Sequence, residues 1–452
     1  MVLLVSLLYL SAAAIYLFVY RKRWMLNPGP LFVASQVVLF VGTVPLLQTT
    51  VEADQVHLWV LFVGLLAFMY GSVLGTQLHP VSPHRAESWY RAPIDRVEKS
   101  NTFWTLVFLI LGVSIAVVVL YYRAVGYNLF LSSVMSVFSP SAGSTDVATL
   151  RLQAYAGDEY FAPGYVNQFK NVLLPMLTAY IAVRAVLERR SGMAACAAVL
   201  CIFTAIGLLG TGQRGPFVMA SIVAFMFVRS SLSGTGARKA SVLLIVTAVV
   251  VLAIATAVLG RRTSTLDGAG DVVTVLREIW DRVFLSNQLS GVVGFQYVFA
   301  RPVQYGAEWL TGLQGLLPGF RGSRLSNEIF AVLYGGYRGT SPVSIWGSIW
   351  YNFGPFGVLL CPVLIGYCYS LVYSRLIRGP KSLFRVLTYS GLSVLLGTWY
   401  VAGPTTVINN GVVTVYLLHV LIRTVERWRR VPPPAFYRRR EGECADHPLT
   451  AY

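Results

Sequence analysis

Apolar runs close to twenty residues long recur along almost the whole chain. A helix needs roughly 20 apolar residues to cross about 30 Å of hydrocarbon, so such runs predict membrane spans. The composition agrees, because 56% of the residues are hydrophobic and 12% are charged. The predicted spans lie near 2–20, 31–49, 57–76, 102–122, 166–186, 194–211, 217–230, 242–260, 355–374, 384–402 and 406–424. We therefore expect an all-α polytopic transmembrane helix bundle of about eleven spans, with a range of about 10–13, forming one integral membrane domain over residues 1–452.

Basic residues alternate with these spans and predict the orientation. The segments that end at Arg23, Lys99, Arg190, Lys239 and Arg385, and the tail after Arg423, are basic. The loops 50–56 and 403–408 carry no Lys or Arg. The positive-inside rule then places the N-terminus outside, the C-terminus in the cytoplasm and the two long connections, 123–165 and 261–342, outside. Basic cytoplasmic loops account for the net charge of +17 without a nucleic-acid partner.

The large outer loop 261–342 is rich in Trp, Phe, Leu and Tyr, which argues against disorder. Residues 271–284 place apolar side chains on one helical face and charged side chains on the other, which predicts an amphipathic helix. The stretches 283–300 and 307–320 are apolar but interrupted by Asn, Gln and Gly, so they suit helices at the membrane interface. The tail 425–452 is interpreted as a basic cytoplasmic segment at the inner-leaflet surface.

The predicted spans contain no Asp or Glu, which counts against an ion-coupled transporter. Arginines gather instead in the outer loops, and guanidinium groups match phosphate oxygens bidentately, as a lipid-linked pyrophosphate requires. Arg151, Arg214, Arg301 and Arg338 have no carboxylate within four residues, so no local ion pair accounts for them. Others have an opposite charge four residues away and are explained equally by helix-surface ion pairs: Arg277 with Asp281, Arg282 with Glu278, and Arg324 with Glu328.

Arg214 is the most informative of these arginines. It lies in Thr-Gly-Gln-Arg-Gly-Pro, residues 211–216, a tight outer turn between two apolar spans. Glycine permits close approach of the backbone there, and Pro216 can open the following helix. The alternative is a turn arginine bonded to carbonyls at a helix end.

Metal chemistry has little support, because the five histidines are scattered and only His57 lies near the outer surface, where an interfacial histidine is the simpler interpretation. Glu52 and Asp54 are the one acidic pair that could hold a divalent ion. The simpler interpretation of this pair is two exposed carboxylates in an outward loop. The outward carboxylates that could deprotonate a sugar hydroxyl are Asp146, Asp158, Glu159, Glu308 and Glu328.

Two segments resemble the oligosaccharide repeat-unit polymerases, the Wzy-type family that assembles O-antigens and related bacterial polysaccharides. Gly212 to Pro216 resembles the family's Arg-Gly turn between two mid-protein helices. Gly347 to Gly357, Gly-Ser-Ile-Trp-Tyr-Asn-Phe-Gly-Pro-Phe-Gly, is similar to the Gly-Glu-x-Tyr-x-Asn-Phe-Gly-x-x-Gly stretch that follows the family's large outer loop. The order of helices and outer loops also agrees along nearly the whole chain. Ser348 stands where the family pattern has Glu, so any role of that carboxylate is here absent or moved.

The resemblance implies a metal-independent, inverting glycosyltransferase in a bacterial inner membrane that needs no cofactor and acts at the periplasmic face. It would join undecaprenyl-pyrophosphate-linked donor and acceptor glycans within the membrane lipid, with a chain-length regulator as a further partner. We assign Arg151, Arg214, Arg301 and Arg338 as pyrophosphate ligands, with Arg277 and Arg282 in reserve. Asp158, Glu159 and Glu328 are the candidate bases.

Three alternatives stay open. An O-antigen ligase would share the architecture but transfer finished glycan to lipid A core. A metal-dependent polyprenyl-phosphate sugar transferase would use Glu52 and Asp54. A transporter of lipid-linked oligosaccharide would make no new glycosidic bond.

Overall fold

The computed structural model describes residues 1–21, 25–94, 100–138, 163–232, 234–260, 280, 284–285, 287–337 and 339–428. Within these ranges the chain folds into helices joined by turns and loops, and it contains no β-strand. One isolated antiparallel bridge joins Ser344 to Val401. The predicted amphipathic helix over 271–284 and the tail from 429 onward lie outside the described residues, apart from Trp280 and Phe284.

The first half of the chain contains ten helices among its described residues. They are α1 Val2–Val19, α2 Pro28–Thr43, α3 Glu52–Leu78, α4 Pro83–Arg91, α5 Asn101–Val125, α6 Leu129–Phe138, α7, α8 Ser191–Leu209, α9 Gly215–Ser231 and α10 Gly234–Gly260. Helix α7 is continuous but changes its winding. It joins Pro163–Asn167, the π-helical turn Gln168–Leu173, and Leu174–Glu188.

The described part of the second half adds α11 Asn287–Phe299, α12 Ala307–Gln314, α13 Leu325–Tyr334, α14 Ile345–Arg378, α15 Leu383–Gly397, α16 Pro404–Asn409 and α17 Val412–Trp428. Helices α11, α12 and α13 fall within the predicted outer loop. Apolar interfacial helices were expected near 283–300 and 307–320, and α11 and α12 lie there.

Eight described helices are long and apolar enough to cross a membrane, and three shorter apolar helices accompany them. Each of the eleven predicted spans overlaps one of these helices, although the bounds differ and the span 406–424 also includes the end of α16. The all-α polytopic fold predicted from the sequence is confirmed: the protein is a multi-pass helical membrane protein.

Helices α3 and α14 form the most extensive helix-to-helix contact among the described residues, and small residues permit their close approach. A Cβ atom on Gly71 would lie 2.0 Å from the carbonyl oxygen of Val363, and one on Gly366 would lie 2.2 Å from that of Phe68. Glycine lets two helix backbones approach this closely, which is how helices associate in lipid. The pair forms the axis against which α1 and α2 pack.

Helix α14 is broken at Gly354, which has φ 61° and ψ −153°. Only glycine adopts this conformation readily. Pro355 follows and has no N–H to donate back to the carbonyl of Tyr351. That carbonyl accepts a hydrogen bond from Gln304 N at 2.9 Å, and the carbonyl of Asn352 accepts one from Gly306 N at 3.1 Å. The segment before α12 therefore satisfies the backbone groups that the break leaves free.

Two large buried clusters hold the bundle together. One lies among α1, α2, α3 and the first turns of α14, around Phe32, Phe68 and Trp346. The other joins α5, α7, α9, α15 and α17 around Tyr180 and Phe384. The outer flanks of α1 and α10 expose long apolar side chains, as expected of surfaces that face lipid rather than water.

Candidate functional site

Three of the nine residues that the sequence predicts for the site lie in the described part of the chain: Arg214, Arg301 and Glu328. The other six lie outside it: Arg151, Asp158, Glu159, Arg277, Arg282 and Arg338. The site can therefore be built from α11 to α14 and from the turn between α8 and α9.

Arg301 and Glu328 meet at Tyr297. The Arg301 guanidinium lies over the Tyr297 ring, 3.3 Å from its centroid, and Nη1 donates to the Tyr297 carbonyl at 3.1 Å. The Tyr297 hydroxyl donates to Glu328 Oε2 at 2.8 Å. Desolvation and the hydrogen bond to the Glu328 carboxylate raise the pKa of Tyr297 to about 12, so the phenol stays protonated and keeps donating. The structure thus brings together two residues that are 27 positions apart and were predicted separately.

A second carboxylate, Glu308, is fixed beside this group in the first turn of α12. Its Oε2 accepts from Asn352 Nδ2 at 2.9 Å, and its Oε1 accepts from Ser323 Oγ at 2.6 Å. Asn352 is fully buried in α14, and its Oδ1 accepts from Trp309 N at 3.2 Å. A carboxylate at a helix start also meets the positive end of the helix dipole. These hydrogen bonds fix the position of the Glu308 carboxylate.

Ser348 takes part in the same network, although it stands where the family pattern has a glutamate. Its Oγ accepts from Trp309 Nε1 at 2.9 Å, and its carbonyl accepts from Asn352 Nδ2 at 3.0 Å. The same amide nitrogen of Asn352 reaches Glu308. Asn352 Nδ2 therefore links Ser348 on α14 to the Glu308 carboxylate on α12 through two hydrogen bonds.

The two carboxylates belong to one electrostatic environment. Tyr351 on α14 interacts electrostatically with Glu308, Glu328 and Arg301. The described residues therefore place one guanidinium, two carboxylates and two phenols around the start of α14. Such a group can bind an anion through its cation and accept a proton through a carboxylate.

Arg214 lies at the predicted turn, immediately before the first residue of α9. The side chain is half-buried. The backbone of the preceding turn is held by Tyr122, whose hydroxyl donates to the Gly207 carbonyl at 2.6 Å, and by Leu129 N, which donates to the Gly210 carbonyl at 2.8 Å. No described contact joins Arg214 to the group around Tyr297.

Two expectations about charged residues are wrong. Arg324 is not within ion-pair distance of Glu328 among the described residues, because the Glu328 carboxylate points to Tyr297 instead. Asp54 is not an exposed carboxylate, since only 1% of its surface is accessible. Its oxygens accept from Gln296 Nε2 at 2.8 Å and from Gln48 N at 2.7 Å.

His57 is likewise buried rather than interfacial, with its ring stacked on Phe295 at a centroid distance of 4.3 Å. Glu52 remains exposed. In the part of the chain that the structure describes, no three or more His, Cys, Asp or Glu side chains are grouped as a metal site would require.

Glu308, Ser323 and Asn352 belong to this hydrogen-bonded group, but the sequence alone could not select them. In the sequence, Asn352 is only one position of the Gly347 to Gly357 motif, and Glu308 is only one of five carboxylates predicted to face outward. Their pairing spans 44 positions and depends on the broken helix.

Comparison of the chain with protein-family models, with characterised proteins and with solved structures finds no match.

Proposed function

We propose that this protein polymerises oligosaccharide repeat units linked to undecaprenyl pyrophosphate, at the periplasmic face of a bacterial inner membrane. The observation that carries the proposal is the meeting of Arg301 and Glu328 at Tyr297, beside the Tyr-Asn-Phe-Gly segment 351–354. A leaving pyrophosphate needs a cation, and an attacking sugar hydroxyl needs a base. Both groups are present within one cluster at the end of a membrane bundle.

The proposed reaction is a single displacement. A hydroxyl oxygen of the acceptor's non-reducing sugar bonds to the anomeric carbon of the donor glycan. The bond from that carbon to the pyrophosphate oxygen breaks, and undecaprenyl pyrophosphate leaves with the electron pair. The hydroxyl proton passes to a carboxylate, for which Glu328 and Glu308 are the described candidates beside Asp158 and Glu159. The proposal needs no metal and no other cofactor.

Arginine side chains supply the electrostatic part of the proposal. Arg301 and Arg214 would stabilise the charge that develops on the departing pyrophosphate, together with Arg151 and Arg338. Positioning of two membrane-anchored substrates supplies the remainder of the rate increase. The apolar helices of the outer loop would admit the polyprenyl chains.

A polymerisation assay tests the proposal. Purified protein is mixed with lipid-linked repeat units, with and without a chelator, and the product is separated on a gel. A ladder of lengths that is unchanged by chelator is the expected result. A ladder that disappears in chelator would establish the metal-dependent transferase instead, and translocation without a new glycosidic bond would establish a transporter.

Cells that lack the protein separate the polymerase from the ligase. Loss of a polymerase leaves lipopolysaccharide capped by single repeat units. Loss of a ligase leaves the core uncapped. We expect single-unit caps, and uncapped core would overturn the proposal.

A further inference from the structure

Lys170 is a buried cation that the proposed reaction does not use. It lies in the π-helical turn Gln168–Leu173 of α7, a helix apolar enough to cross a membrane. Only 1% of the residue's surface is accessible. An ionisable group inside a membrane bundle is costly to keep and usually marks a binding or transport site. Single-turn π-helical insertions are frequent at functional sites as well.

The other buried cations of the described chain show what Lys170 lacks. They are Arg184, Lys381 and Arg385. Arg184 Nε donates to Glu188 Oε1 at 2.7 Å, Lys381 Nζ donates to the carbonyl oxygens of Tyr90 and Ala92, and Arg385 donates to the carbonyl of Arg375. Each of them therefore has at least one protein oxygen as an acceptor, although Arg385 Nε is buried without a partner among the described residues.

Lys170 has no such oxygen among the described residues. Its Nζ lies 5.7 Å from the centroid of the Tyr121 ring, and none of the described ion pairs includes it. A ring face is worth about 0.5–2 kcal/mol to a cation, whereas desolvating an ammonium costs several kcal/mol. The ring alone does not offset the burial.

The same π-helical turn also contains a buried polar atom that has no hydrogen-bond partner among the described residues. Asn171 Nδ2 donates to Asn167 Oδ1 at 3.1 Å, and Asn171 Oδ1 is buried without a partner. Gln168 Nε2 donates to the Asn409 carbonyl at 2.8 Å, and its Oε1 accepts from Thr414 Oγ1 at 2.5 Å. These bonds tie the turn to α16 and α17. The widened turn therefore has a fixed position and an unused polar atom.

The turn lies at the same end of the bundle as the group around Tyr297. Tyr165, five residues before Lys170, donates its hydroxyl to the Leu316 carbonyl at 2.9 Å, just beyond α12. Tyr121, which faces Lys170, precedes Tyr122, whose hydroxyl holds the turn that leads to Arg214. Helix α7, which carries Lys170, thus contacts the segment that follows α12, and α5, which packs against Lys170, also contacts the end of α8 that leads to Arg214.

We propose that Lys170 binds a phosphate oxygen of a polyprenyl diphosphate headgroup that is lowered into this end of the bundle. The identity of the lipid rests on the proposed function. The Lys170 ammonium would neutralise negative charge on the diphosphate beyond the part that Arg214 and Arg301 bind. The diphosphate would in turn supply the oxygen acceptor that Lys170 lacks. In the absence of ligand, the buried charge would lower the stability of the fold.

The test measures binding and stability together. Undecaprenyl pyrophosphate and inorganic pyrophosphate are titrated separately into the full-length protein in nanodiscs of zwitterionic lipid, and affinity and the unfolding midpoint are recorded. Lys170→Met should weaken binding of undecaprenyl pyrophosphate by at least about tenfold, a modest value for a charge-assisted contact. Lys170→Arg should retain most of it. Lys239→Met, which removes an exposed lysine, should leave affinity unchanged.

The ligand-free midpoint distinguishes a binding lysine from a structural one. Lys170→Met should unfold at an equal or higher temperature than the wild type, because it removes a buried charge without an oxygen partner. A lower midpoint would assign Lys170 to a structural pair and overturn the proposal, as would unchanged affinity. Equal effects on both titrants would indicate a free phosphate site, whereas an effect confined to the lipid supports the proposed headgroup. Wild-type binding without polymerisation would refute the proposed function and leave this site intact.

Discussion

Asp54 Oδ1 accepts a hydrogen bond from Gln296 Nε2 at 2.8 Å across 242 positions of sequence. Gln296 directly precedes Tyr297, which holds Glu328. The stack of His57 on Phe295 supports the same contact between α3 and α11. Helix α3 therefore sets the position of α11, which carries part of the candidate site.

Replacing Asp54 should loosen this contact. Asp54→Ala leaves the half-buried Gln296 amide and the Gln48 backbone N–H without their acceptors, and about 1–3 kcal/mol is the upper range of the cost for such a donor, reached only when it is fully buried. We expect a lower unfolding midpoint and reduced polymerisation, measured on purified protein. Glu52→Ala, in the same turn but exposed, is the control and should behave as the wild type.

The two described carboxylates should differ in their effect on turnover. A general base contributes about 10²–10⁴-fold, so replacing the base by its amide should reduce kcat by that factor with little change in KM. We expect this of either Glu328→Gln or Glu308→Gln, measured with lipid-linked repeat units. If both variants retain wild-type turnover, the base lies elsewhere, and Asp158 and Glu159 become the candidates.

Arg214→Ala and Arg301→Ala should each abolish polymer while the protein remains inserted. Lysine should restore little at either position, because an ammonium cannot reproduce a bidentate fork. Arg321→Ala provides a matched control, since Arg321 is an exposed arginine of the same outer loop. Long polymer from the Arg214 variant would remove that residue from the site.

Gly354→Ala should damage the site through the backbone. An alanine forced into this conformation costs about 1–3 kcal/mol, and its Cβ would also press against Val303 Cγ2 at 3.3 Å. We expect a lower midpoint and lower activity. Gly112→Ala on α5 meets no atom within 4 Å and should be neutral or stabilising, so an equal loss in both variants would contradict the explanation.

The orientation can be read by labelling single cysteines in a cysteine-free background. Tyr305 is 87% exposed on the loop before α12, and His84 is exposed on α4. A membrane-impermeant maleimide should label Tyr305→Cys in intact spheroplasts and His84→Cys only after the membrane is opened. The reverse pattern would place the candidate site in the cytoplasm.

The helices could be predicted from the sequence because lipid imposes a simple rule: a segment must be apolar for about 20 residues and pair its backbone internally. Each predicted span accordingly overlaps a helix. The arrangement of the candidate site could be predicted from the sequence only in part. Arg301 is predicted because no carboxylate lies within four residues of it, and Glu328 because it is an outward carboxylate; the structure brings both to Tyr297. The ion pair expected between Arg324 and Glu328 does not form among the described residues.

The remaining site features depend on contacts between distant segments. Glu308 and Asn352 become a pair only after Gly354 breaks α14 and the loop before α12 docks on the free carbonyls. Burial of Asp54 depends on α11 lying over α3. The spacing of residue types along a short segment predicts a membrane span, but it does not predict which distant segments will contact each other.

The glycine contacts between α3 and α14 have a mechanical consequence. A backbone carbonyl of each helix occupies the space that a side chain on the other helix would fill. Sliding or rotation of one helix against the other would break this fit, so we expect the two helices to move as one unit. Any movement that admits a large ligand is then expected at the periphery, in helices such as α1 and α10, whose flanks expose long apolar side chains.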